Sequence, residues 1–193
     1  MARALQKGPD VTARGSKGFT LVEMMIVVAI VGVLAILAVA GYRQLIRSSH
    51  ISEATGMVQS IRVAQEAYHS ETQQYASVSS SLTDYYPNAP AYGVSTAWGG
   101  PCSNCPFVQW SALPVHVDGP VMFGYATVAG LAGAAPPAVT VNGAVLGLPA
   151  VPTTDWYIIA ASGDLDGNPT EPNNTHVYTT SWSNQVWVDR EGQ

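Results

Sequence analysis

The chain has 193 residues, 47% hydrophobic and only 11% charged, with a formal net charge of −5. Arg3, Lys7, Arg14 and Lys17 precede residue 19; after Gly18 four arginines face twelve acids, a balance of −8 that excludes a broad basic surface for nucleic acid. The absence of lysine after residue 17, the abundance of Ser, Thr, Asn, Gly and Pro after residue 75, and a single pair of cysteines suit an exported domain of modest size.

The first predicted element is apolar. Residues 24–41 contain no charge, amide or hydroxyl, and Phe19, Leu21 and Val22 extend the run to 19–41, interrupted only by Thr20 and Glu23. That length fits a membrane-spanning helix, which needs about 20 residues at about 1.5 Å each. The basic residues ahead of it orient the N-terminus inward, although Arg43 and Arg47 follow the span. A secretory signal peptide is the weaker reading, because its apolar region runs to roughly 7–15 residues. A plain anchor leaves Glu23 without a role, and an unpaired carboxylate at that depth costs at least ~2–3 kcal/mol.

Lys17-Gly18-Phe19-Thr20-Leu21-Val22-Glu23 followed by the apolar run resembles the class III leader of type IV pilins and pseudopilins. The resemblance is close over 17–41 and architectural beyond. It implies that a prepilin peptidase cuts between Gly18 and Phe19 and N-methylates Phe19. The new α-amine would then pair with Glu23 of a neighbouring subunit, in apolar surroundings that strengthen the attraction. Many family members carry a proline where Ala40 stands; here Gly41 is the weak point of the helix exit.

The helix is predicted to continue to about residue 72. Tyr42, Leu45, Ile46, Ala54, Met57, Val58, Ile61, Ala64 and Tyr68 recur at three- and four-residue spacing. From Thr72 to Thr83 the pattern becomes a polar loop, and residues 84–120 show no period. Strand signals follow at 121–128, 156–161, 177–182 and 185–188. A hairpin is expected over 139–146, where Asn142-Gly143 supplies the positive φ angles of a tight turn.

Two loops invite chemistry. Cys102-Ser103-Asn104-Cys105, flanked by Pro101 and Pro106, lacks the helix start of a redox pair, the following histidine of haem attachment and the second ligand pair of a zinc site. It is read as a structural disulfide between Cys102 and Cys105. In the 162–168 loop, Asp164, Asp166 and Asn168 occupy alternating positions like the start of an EF-hand, but Pro169 and Thr175 break the pattern. An Asx-type turn is the preferred reading, with calcium on those three residues as the alternative. The histidines are isolated, no nucleophile elbow or phosphate loop occurs, and no catalysis or required cofactor is expected.

The expected architecture is α+β, with a long N-terminal helix packed on a small antiparallel sheet. Its parts are a leader over 1–18, a membrane and filament-core helix over 19–41, an amphipathic continuation over 42–72 and a head over 73–193. The resemblance implies a type IV pilus subunit serving adhesion, twitching motility or DNA uptake. Its implied partners are copies of itself, other pilins, the prepilin peptidase, the assembly machinery and, before assembly, the inner membrane. A type II secretion pseudopilin is the alternative, and a membrane-anchored exported binding module the second.

Overall fold

The computed structural model describes residues 18–87, 91–99, 107–167 and 174–190. Helix α1 spans Leu21–Thr72 and a short α2 spans Phe107–Trp110. The strands are β1 (Gly124–Gly130), β2 (Thr140–Val141), β3 (Ala144–Val145), β4 (Trp156–Gly163), β5 (Thr175–Thr180) and β6 (Ser183–Asp189). The chain forms two compact units, divided between Tyr42 and Arg43.

The first unit holds the apolar part of α1, where every side chain from Leu21 to Tyr42 is exposed. Helical hydrogen bonding runs through Ala40 and Gly41 without a break in the assignment. Glycine weakens a helix interior by about 1 kcal/mol relative to alanine, too little by itself to end a helix of this length.

In the second unit β1, β4, β5 and β6 form an antiparallel sheet in the order β1-β4-β5-β6. Ile51, Ala54, Met57, Val58, Ile61, Ala64 and Gln65 are the buried stripe of α1, at the spacing that puts them on one helical face. With Tyr157, Ile159, Ala161 and Val177 the apolar members of this stripe form one core cluster. The predicted stripe therefore begins at Ile51: Tyr42, Leu45 and Ile46 are exposed, because the buried cluster takes α1 only from that residue onward.

The other face of the sheet is also covered. Val139 and Val141 pack with Trp156 and Ile158, which alternate with the helix-facing residues along β4. All eight residues of β4 are consequently buried, and its sequence reads as an apolar run without alternation. The predicted 139–146 hairpin forms, with φ of 50° at Asn142 and 77° at Gly143. Its strands pair only with each other, as a cover over the sheet; the Asp189 carboxylate accepts from the Asn142 N–H at 2.7 Å and ties the turn to β6.

The strand expected over 121–128 is displaced to Gly124–Gly130. Val121 pairs instead with Thr96 in an isolated bridge, and Phe123 turns into the core. The region without a sequence period contributes aromatic packing. Tyr86 lies 4.9 Å from Trp98 and 5.6 Å from Trp110 between ring centroids, and Trp98 meets Tyr125 at 5.9 Å. Gln65 joins the layers: its amide donates to the Ala76 carbonyl (2.7 Å) and Thr127 hydroxyl (3.0 Å) and accepts from the Ala76 N–H (2.9 Å).

Candidate functional site: the N-terminal segment

Gly18, Phe19 and Thr20 lie outside α1 in non-helical backbone, and the helix begins at Leu21. Phe19 is 78% exposed, and among the described residues no atom outside the chain neighbours of Gly18 lies within 4 Å of where a Cβ on Gly18 would stand. Among the described residues nothing crowds the Gly18–Phe19 peptide.

Glu23 has a partner within the chain. The Thr20 N–H and Thr20 hydroxyl both donate to Glu23 Oε2 at 2.9 Å, and the Glu23 N–H donates to Thr20 Oγ1 at 3.2 Å. This reciprocal ring is a capping box, with threonine at the N-cap and glutamate three residues on. It satisfies backbone donors that the helix start leaves unpaired, and it sets the carboxylate beside the positive end of the helix dipole. The signal was present in the sequence as Thr20-Leu21-Val22-Glu23 immediately before an apolar run. Thr20 was read there only as a break in the hydrophobic stretch.

Behind the box, α1 presents apolar side chains around its whole circumference. Leu21, Met25, Val28, Ile36 and Leu37 are all more than 60% exposed. Among the described residues this is the one helix long and apolar enough to cross a membrane.

The other sequence-predicted sites belong to later parts of the chain. Cys102 and Cys105 fall outside the described residues, as does Asn168. Asp164 Oδ1 accepts from the Asp166 N–H (3.3 Å) and the Gly167 N–H (2.8 Å), the geometry of an Asx turn. No group of three or more His, Cys, Asp or Glu side chains able to hold a metal ion occurs among the described residues.

The head's phenols are structural. The Tyr157 hydroxyl, buried beneath α1, donates to Glu66 at 3.1 Å. Burial, then the nearby Glu66 charge, pushes its pKa well above the usual tyrosine value. Burial raises Tyr125 in the same way, and burial with the neighbouring Tyr85 and Asp189 pushes Tyr178 up to about 12.

Residues 13–39 match the family described as the prokaryotic N-terminal methylation motif. The type IV major pilin protein PilA of Myxococcus xanthus is 34% identical over 107 residues, 54% of this chain and 46% of that protein. Fimbrial protein EcpC of Eikenella corrodens is 42% identical over 55 residues, 28% of this chain and 36% of that protein. The type IV major fimbrial protein FimA of Dichelobacter nodosus is 43% identical over 47 residues, 24% and 29% of the respective chains. The chain thus spans less than half the length of these curated relatives, and no solved structure matches it.

Motif and fold together define a chain with a segment that matches the N-terminal methylation motif, a long apolar helix and an α+β head. Within that class it resembles type IV pilins, one from a delta-class proteobacterium among them.

Proposed function

We propose that the chain is a structural subunit of a type IV pilus. The precursor sits in the inner membrane with its N-terminus in the cytoplasm and its head in the periplasm. Prepilin peptidase cuts after Gly18 and N-methylates Phe19, and the subunit then polymerises with its copies into a surface filament for adhesion, twitching motility or DNA uptake. The observation that carries this reading is the exposed apolar helix over 21–42, most of which lies within the match to the methylation motif. Such a surface needs lipid before assembly and other helices after it. The named relatives are pilus and fimbrial proteins, which favours a pilus over a secretion filament.

Glu23 joins the two states. In the single chain its carboxylate is held by Thr20, so in the monomer it is hydrogen-bonded rather than bare. After cleavage the Phe19 amine supplies a cationic partner for Glu23 of a neighbouring copy, adding the opposite charge that the neutral Thr20 donors lack. The test is Glu23→Ala in the full precursor. The variant should insert and be cleaved normally yet yield no sheared filaments; normal filaments would remove this role for Glu23.

A further inference from the structure

We propose that Arg43 of one subunit docks into an acidic cleft beside Glu53 and Asp118 on a second copy of this chain; the inference rests on the filament reading above. Arg43 is exposed, and among the described residues its guanidinium has no hydrogen bond or ion pair. In this it differs from Arg62, which donates to Asn184 Oδ1. The receiving site is a cleft of about 250 Å³ between α1 and the 116–121 segment, lined by Glu53, Met57, Ser60, Val117, Asp118 and Pro120 among others.

The cleft has the chemistry an arginine needs. Met57, Val117 and Pro120 offer apolar surface to the methylene stem, while the two carboxylates offer acceptors to the planar guanidinium fork. Glu53 uses Oε1 to accept the Met122 N–H at 3.2 Å, and Oε2 lies 3.7 Å from His50 Nδ1. Asp118 is 98% exposed at its side chain, 3.2 Å from His116 Nε2. Neither acid has an arginine or lysine partner in its own chain among the described residues.

The helix geometry keeps Arg43 of the same chain away from Glu53, and a second copy supplies the same arginine at a different height. Arg43 and Glu53 are ten residues apart on α1, about 15 Å along the axis and about 80° apart around it. Arg43 therefore cannot reach Glu53 of its own chain. A parallel copy displaced by that rise brings the two level, and the angular offset means that donor and acceptor lie on different faces. Two complementary patches on different faces make a heterologous contact, the type that repeats without closing and so builds an open filament.

The test uses charge reversal in the full-length precursor. It compares sheared filament yield with the amount of cleaved subunit in the membrane. Arg43→Glu and Asp118→Arg should each leave cleaved subunit at the wild-type level and reduce filaments at least tenfold, and the double variant should restore them. Asp118 is used because its exposure keeps the change out of the core, whereas Glu53 also holds the Met122 N–H. Arg43→Glu filaments at the wild-type level would overturn the inference. So would a loss that Asp118→Arg does not rescue, an outcome that assigns Arg43 to lipid phosphates instead. A wild-type chain that is cleaved but forms no filament would overturn the pilus reading, and with it this contact.

Discussion

Gln65→Leu removes the buried amide that joins helix, loop and sheet. Gln65 is 0% exposed and Ala76 only 6%, so leucine strands the Ala76 N–H, the Ala76 carbonyl and one contact of the Thr127 hydroxyl out of water's reach. Each unsatisfied backbone group costs about 1–3 kcal/mol, so the two together come to about 2–6 kcal/mol. Apolar burial of leucine offsets on the order of 1 kcal/mol of this, leaving a net loss of about 1–5 kcal/mol. Against a typical total of about 5–15 kcal/mol, the change should be plain in guanidinium unfolding of the detergent-solubilised chain followed by tryptophan fluorescence. The midpoint should fall while the slope stays constant. A loss below about 1 kcal/mol at unchanged slope would refute the reasoning, because it would mean that the Ala76 groups find water or other partners.

Three further outcomes follow from the same geometry. Thr20→Val keeps the side-chain shape but breaks the capping ring, and should speed amide hydrogen exchange over Leu21–Glu23; a loss of about 0.5–2 kcal/mol is usual for an N-cap, and Thr20→Ser should restore protection. Gly130→Ala drives a Cβ into the Trp156 ring, so it should destabilise the head by about 1–3 kcal/mol in the same unfolding assay; wild-type stability would show that the indole can move aside. Stability should fall as pH rises from about 10, where unfolded tyrosines ionise, toward about 12, where Tyr178 does so in the folded head. The sign follows from the folded state binding more protons across that window. Circular dichroism during alkaline titration would read it, and a flat response from pH 10 to 12 would contradict it.

What the sequence revealed divides along local and non-local interactions. The helix over 21–72 was legible because its apolar run and its later three-four spacing are properties of neighbouring residues. The β5–β6 hairpin and the Asn142-Gly143 turn were legible for the same reason. The start of β1 was misplaced because Val121, Met122 and Phe123 have strand-forming side chains, yet the pairing that decides the matter involves Thr96 and β4, far away in the chain. The cover over the sheet's second face was hidden too: nothing near Val139 shows that Trp156 and Ile158 will bury it. At the candidate site, Gly18, Phe19 and Glu23 stood out by motif. Thr20 did not, although the capping-box spacing is present, because a lone threonine ahead of an apolar run also fits an ordinary interruption of a membrane span.

The central claim is that processing turns an exposed apolar helix into the packed core of a filament. Mass spectrometry of the N-terminal peptide from filaments sheared off intact cells tests it most directly. The account predicts a peptide that begins at Phe19 and carries one methyl group on its α-amine, in filaments built of this chain. Surface filaments in which the chain retains residues 1–18, or begins at any residue other than Phe19, would contradict it.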